Sequence, residues 1–192
     1  MQLKNKVAFI TGAGAGIGQA ISLLFALEGA SVTLFDINQT YLDETSRIIH
    51  GFGTEFLAVC GSVTSSTDIS GAIQATETAF GGVDILVANA GVAMGGSIVD
   101  MSEADWNKVL DINLGGVYRV SKYGIPCLLK RGGGSIINLA STQALRGYPG
   151  WAGYAASKGA IIALTRQVAM EYSKQRIRCN AIAPGAVDTP MN

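Results

Sequence analysis

KVAFIT (6–11) runs without a break into TGAGAGIG (11–18), and this junction decides the fold. A nearly continuous apolar run is what a strand covered on both faces should show, because neither face meets water. The glycine-rich turn then opens a helical pattern near 16–28. The same alternation continues along the chain. SVTLFD (31–36), EFLAVC (55–60), VDILVAN (83–89), GSIINLA (134–140) and IRCNAIA (177–183) read as strands. Helical patterns fall near 38–50, 66–80, 102–130 and 152–173. Strand-helix repetition of this kind predicts an α/β fold, a doubly wound parallel sheet with helices on both faces. No repeat, low-complexity segment or linker interrupts it, so 1–192 is read as a single domain.

The turn itself has chemical meaning. Glycines let backbone N–H groups approach a pyrophosphate, and a helix N-terminus adds partial positive charge. From Gly12 the spacing G-x-G-x-x-G fails, because its third glycine would fall on Ile17; no Gly-Lys-Ser/Thr follows either. The spacing that fits is T-G-x-x-x-G-x-G, through Thr11, Gly12, Gly16 and Gly18. Such a turn alone is also compatible with plain chain reversal; its strand-turn-helix setting favours phosphate binding. The second strand ends on Asp36, where a carboxylate can accept both adenosine ribose hydroxyls and would repel a 2′-phosphate. Ala13, Ala15 and Ile37 offer no cation for such a phosphate. The expected cofactor is therefore NAD(H) rather than NADP(H), although a strand-end aspartate is also a common turn residue.

Bulk composition narrows the class. The chain has 192 residues, 48% hydrophobic and 15% charged, enough to bury a sizeable core. Fourteen basic and fourteen acidic side chains cancel, which excludes the basic footprint of a nucleic-acid binder. No stretch reaches the ~18 apolar residues of a membrane helix. Cys60, Cys127 and Cys179 lack metal-type spacing, so no metal site is expected, and a reduced, cytoplasmic protein is. Cys60 and Cys179 fall in expected strands and are read as small core residues. His50 closes an expected surface helix, where a cation suits the dipole, and takes no catalytic role.

YAASK (154–158) places Tyr154 and Lys158 one helical turn apart, on one face. Read alone, the pair is an ordinary amphipathic helix with a snorkelling lysine. With the glycine turn and Asp36, however, the sequence resembles the short-chain dehydrogenase/reductase family from residue 6 to its end. TGAGAGIG is similar to that family's cofactor loop, and NAG (89–91) to the turn after its fourth strand. Asn113 in DINLGG, Ser141 in INLAS, Tyr154 and Lys158 match its catalytic set. PGAVDTPM (184–191) resembles the segment that closes over the nicotinamide. The resemblance thus implies a Rossmann-like fold. It also implies a cofactor site drawn from Gly12, Gly16, Ile17, Gly18, Asp36, Ile37, Ser62, Val63, Asn89, Ala90, Gly91, Tyr154, Lys158, Pro184, Gly185, Val187 and Thr189.

Two departures accompany it. Ser62 stands before Val63 where the family commonly has an aspartate, so no charge faces the adenine amino group. The family usually continues into a substrate-covering helical pair, a further helix and a seventh strand, whereas this chain stops at Asn192. The expectation is a shortened C-terminus with the sixth strand at an edge.

The tetrad carries the chemistry. A phenol ordinarily titrates near 10. An ammonium ~4 Å away, at an effective dielectric of ~20, favours phenolate by ~4 kcal/mol. Tyr154 is thus expected to exchange a proton with the substrate oxygen while the nicotinamide exchanges a hydride. Ser141 steadies that oxygen, Lys158 holds the nicotinamide ribose, and Asn113 anchors a water. Trp151, Met94, Gln143 and Met191 fall in loops expected to rim the substrate pocket. The expected activity interconverts a secondary alcohol and a ketone. The alternatives are a 3-oxoacyl thioester reductase and a catalytically silent dinucleotide-binding fragment. Small residues on the helices around 113–130 and 152–173 (Gly115, Gly116, Ala155, Ala156, Ala160 and Ala163) suggest pairing into a homodimer or homotetramer.

Overall fold

Six parallel strands form one sheet in the order β3-β2-β1-β4-β5-β6. They are β1 (Val7–Thr11), β2 (Ser31–Asp36), β3 (Phe56–Cys60), β4 (Ile85–Ala88), β5 (Gly134–Leu139) and β6 (Ile177–Ile182). The computed structural model describes residues 1–190. The helices are α1 (Gly16–Leu27), α2 (Gln39–His50), α3 (Ser66–Phe80), α4 (Glu103–Leu110), α5 (Gly116–Lys130) and α6 (Ala152–Tyr172). None of them is long and apolar enough to cross a membrane.

Strand periodicity builds two cores. On β1, Ala8 and Ile10 point to one face and pack with Leu34, Leu42, Ile49 and Val87, under α1 and α2. Phe9 points to the other face, with Phe35, Leu86, Leu128, Ile136 and Ile161, under α3, α5 and α6. Each fully buried Phe, Leu or Ile contributes about 1.5–3 kcal/mol of transfer free energy, so this alternation drives the layering. Strand order reverses between β1 and β4, and a crevice opens there beyond the carboxyl ends of the strands.

Three sequence expectations are corrected. Not every strand is covered on both faces: β3 is a sheet edge with Ala58 and Cys60 exposed, while β6 forms the other edge, as expected, with Arg178 and residues 180–182 exposed. Cys60 is accordingly exposed on edge strand β3, whereas Cys179 is buried. The single helix expected over 102–130 is interrupted. Between α4 and α5 lies a π-helical turn, Asp111–Gly115, which no 3.6-residue pattern signals. His50 closes α2 and is exposed, as read from the sequence.

Candidate active site

The glycine turn is locked into the crevice by β4. Thr11 Oγ1 accepts from the backbone amides of Asn89 and Ala90, both at 3.1 Å. Asn89 Nδ2 returns bonds to the carbonyls of Thr11 (3.0 Å) and Gly12 (3.2 Å). Gly18 admits no side chain, since a Cβ there would stand 1.9 Å from the Gly12 carbonyl oxygen. Helix α1 therefore seats against the turn more closely than any other residue would allow. Asn38, Ser65 and Ser102 cap α2, α3 and α4 through their side chains. The N-cap of α1 is Ala15, which has no side-chain bond to give. The first-turn amides of α1, on Gly16, Ile17 and Gly18, are left for an anion.

A cavity of about 470 Å³ continues from the turn across the ends of β2 and β3. Gly12, Asp36, Ile37, Ser62, Val63, Ala90 and Gly91 line it, as do Lys108, Asp111 and Ile112. Those last three arrive by tertiary folding from α4 and the π turn; Asp111 and Ile112 lie inside DINLGG, but no local signal marked Lys108. Asp36 Oδ2 accepts from the Gly14 amide and Oδ1 from the Asn38 amide, both at 2.9 Å. Ser62 Oγ lies 2.8 Å from Thr64 Oγ1, and the Ser62 amide donates to Asp68 Oδ2 at 2.9 Å. That amide and the Ser65 hydroxyl hold the Asp68 carboxyl below its ordinary value. The charge near this loop is thus carried by Asp68, tied into the cap of α3, and not by position 62.

A second cavity, about 670 Å³, runs along Gly16 and Ile17 to Val187 and Thr189. The Thr189 side chain lies 3.2 Å from where a Gly16 Cβ would be. Pro184 is tied down by its carbonyl, which accepts from Thr142 N at 3.0 Å, and Gly185 is exposed. Met191 lies outside the described residues.

The catalytic candidates lie on the π turn, after β5 and on α6, outside the lining of the 470 Å³ cavity itself. Asn113 is fully buried on the π turn. Its Oδ1 accepts from Val92 N (2.8 Å), and its Nδ2 donates to Val92 O and Ser157 Oγ, both at 3.0 Å. Arg119 steadies the turn by donating to the Asp111 carbonyl at 3.3 Å and its carboxylate at 2.6 Å. Lys158 is 5% exposed, and its Nζ donates to the Leu139 carbonyl at 2.7 Å. A Cβ on Gly91 would lie 3.0 Å from Asn113 Oδ1 and 3.6 Å from Lys158 Nζ, so both groups converge on one cavity-lining residue. Burial pushes the Lys158 ammonium down to about 8. Its Nζ sits 5.6 Å from the Tyr154 ring centroid.

Ser141 lies two residues past β5, at the N-cap of the one-turn helix that follows, and is 8% exposed; its Oγ accepts from Gln143 N at 3.2 Å. The one-turn helix Thr142–Ala144 that follows packs on α6, which carries Tyr154 and Lys158. The Trp151 ring stands edge-on to Tyr154 with centroids 6.0 Å apart, and Met94 is half-buried in the loop after β4. Ser157 was missed although it lies inside YAASK, because its role as partner of Asn113 depends on a contact 44 residues away.

Known proteins are similar to this chain over nearly its whole length. The chain is 39% identical to a 3-oxoacyl-[acyl-carrier-protein] reductase of Thermotoga maritima over 191 residues, 100% of this chain and 78% of that protein. It is 40% identical to a 2-(S)-hydroxypropyl-CoM dehydrogenase of Xanthobacter autotrophicus, over 97% of this chain and 73% of that one. Among solved structures, an NAD+-bound xylitol dehydrogenase superposes with a TM-score of 0.94 at 35% identity, covering 96% of this chain and 72% of its own. A family model described as short chain dehydrogenase matches residues 6–192, which takes in the glycine turn, the crevice and the Tyr154–Lys158 helix together. This chain belongs to the short-chain dehydrogenase family of oxidoreductases.

Proposed function

We propose that the protein is an NAD(H)-dependent oxidoreductase that interconverts a secondary alcohol and a ketone. The observation that carries this reading is the convergence of Asn113 and Lys158 on Gly91, at one end of a cavity whose other end holds Asp36. The residues fit a dinucleotide. The uncapped amides of Gly16, Ile17 and Gly18 suit its pyrophosphate. The Asp36 carboxylate keeps a lone pair on each oxygen for the adenosine ribose hydroxyls and repels a 2′-phosphate. Ile37, Ser62, Val63, Asn89, Ala90 and Gly91 would enclose the adenosine, and Pro184, Gly185, Val187 and Thr189 the nicotinamide side.

When bound, the nicotinamide supplies the hydride acceptor for an alcohol or the donor for a ketone. Tyr154 takes the hydroxyl proton of the alcohol, or returns it to the ketone oxygen. The Gln143 amide occupies a lone pair of Ser141 Oγ, which leaves the Ser141 hydroxyl proton to donate to that same oxygen and stabilise its developing charge. With one N–H committed to Leu139, Lys158 keeps two for the cofactor ribose and the Tyr154 phenol. A group that titrates at about 8 is still charged in about ten of eleven molecules at neutral pH, so Lys158 acts as the cation beside the phenol. Both amide hydrogens of Asn113 are used, so the second lone pair of Oδ1 is its side-chain anchor for a water relay.

The test is nicotinamide absorbance with NAD or NADP and a panel of secondary alcohols, polyols and hydroxyacyl thioesters. Turnover with NAD and an alcohol is expected; nucleotide binding without turnover on any substrate refutes the reading and favours a binding fragment. The similarity to a 3-oxoacyl-[acyl-carrier-protein] reductase favours one second reading, in which the thioesters and NADPH give the faster turnover. The protein is further proposed to be cytoplasmic. It is also proposed to pair into a homodimer or homotetramer through α5 and α6, where Tyr118 and Met170 are exposed.

A further inference from the structure

The phosphate turn is gripped from outside by a residue that lines neither cavity. Thr45, on the second turn of α2, is fully buried. Its Oγ1 donates to the Gly14 carbonyl at 3.1 Å and accepts from Gln19 Nε2, on α1, at 2.9 Å. The amide of the same Gly14 donates to Asp36 Oδ2 at 2.9 Å. Gly14 is also pressed under Tyr41, for a Cβ there would stand 2.7 Å from the Tyr41 Cβ. Both polar groups of one residue at the centre of the turn are therefore bound by side chains, one from β2 and one from α2.

We infer that Thr45 is a positioning residue for the cofactor turn: its hydroxyl, opposed by the Asp36 carboxylate, fixes the Gly14 peptide and orders the turn before a nucleotide arrives. Glycine loses more conformational freedom on ordering than any other residue, so a turn with Gly12, Gly14, Gly16 and Gly18 needs such external bonds. The grip also aims Asp36. One lone pair on each of its oxygens is held by a backbone amide, and the remaining pairs are directed into the cavity. Thr45 touches no reacting group, so its influence falls on nucleotide affinity and not on proton or hydride transfer. This inference rests on the dinucleotide reading given above.

The experiment measures NAD binding by calorimetry, steady-state kinetics and thermal unfolding for the wild type, Thr45→Val and Thr45→Ser. Valine keeps the shape and removes the hydroxyl, leaving the Gly14 carbonyl and the Gln19 amide unpaired. Thr45→Val is expected to raise both Kd and KM for NAD about tenfold, the equivalent of about 1.4 kcal/mol and of one buried hydrogen bond. kcat and the KM for the alcohol stay unchanged, and Thr45→Ser restores NAD affinity. Unchanged NAD affinity in Thr45→Val, or an equal loss in the serine variant, overturns the inference. Should Thr45→Val not fold, Gln19→Met carries the test at a half-buried position: a rise in Kd of about threefold is expected if the hydroxyl is aimed by Gln19, and no rise overturns it. A wild-type protein that binds neither NAD nor NADP overturns the dinucleotide reading itself, a result distinct from failure of the grip.

Discussion

Replacing Lys158 by methionine isolates the cost of holding a cation in the interior. The side chain is 5% exposed, and desolvation lowers its titration from the ordinary 10.5 to about 8. At 1.36 kcal/mol per pH unit the gap corresponds to about 3 kcal/mol. Its sign follows from proton binding. Between about pH 8 and 10.5 the unfolded chain keeps its lysine proton while the folded chain has released it, so stability rises with pH across that window. Below about 8 both states are charged, and the folded state bears the whole cost. Above 10.5 neither is charged, and the cost is gone. Methionine has a similar length and no proton to lose. At neutral pH it escapes the burial cost but forfeits the bond to the Leu139 carbonyl, worth about 1.5–3 kcal/mol for a charged donor, so the two proteins start close in stability. The diagnostic is therefore the slope. In urea unfolding without nucleotide, from about pH 7 to about pH 10, the wild type should gain about 2 kcal/mol relative to Lys158→Met. Parallel pH profiles would refute the placement of Lys158 as a buried cation.

Two other substitutions separate chemistry from architecture. Tyr154→Phe removes only the phenolic oxygen, so turnover should fall by about a thousandfold while the Kd for NAD by calorimetry stays within about twofold; an active phenylalanine variant contradicts the acid–base role. Asn113→Leu strands the half-buried Val92 amide and carbonyl and removes the amide donor from Ser157 Oγ, which keeps its own bond to the Tyr154 carbonyl. The expected loss is about 3–4 kcal/mol, seen as a fall in Tm of about 10 °C, and an unchanged Tm contradicts the buried network.

Much of this protein is legible along the chain because the relevant signals are short-range. Nearly continuous apolar strands such as SVTLFD point to cover on both faces, and the residues between them carry a helical period, so the doubly wound sheet follows from patterning. The turn is equally local, since Gly18 leaves no room for a Cβ beside the Gly12 carbonyl. Tyr154 and Lys158 share a face because 3.6 residues make a turn.

What local signals do not contain is which elements become neighbours. Cys60 and Cys179 sit in similarly apolar runs and both on edge strands, yet Cys60 faces solvent while Cys179 faces the core beneath the helices. The π turn at Asp111–Gly115 arises where Asn113 can satisfy Val92 and Ser157 at once and Arg119 takes up the Asp111 carbonyl, a set of contacts spread over 65 residues from Val92 to Ser157. Lys108, from α4, becomes a wall of the 470 Å³ cavity, and Thr45, from α2, closes on Gly14, 31 positions earlier. The sequence alone determined the layers, the glycine turn and the identity of the catalytic candidates, because each is written within a few residues. Tertiary structure alone decided their burial, their partners and the titration of Lys158, because desolvation and hydrogen bonding depend on what the rest of the fold brings alongside.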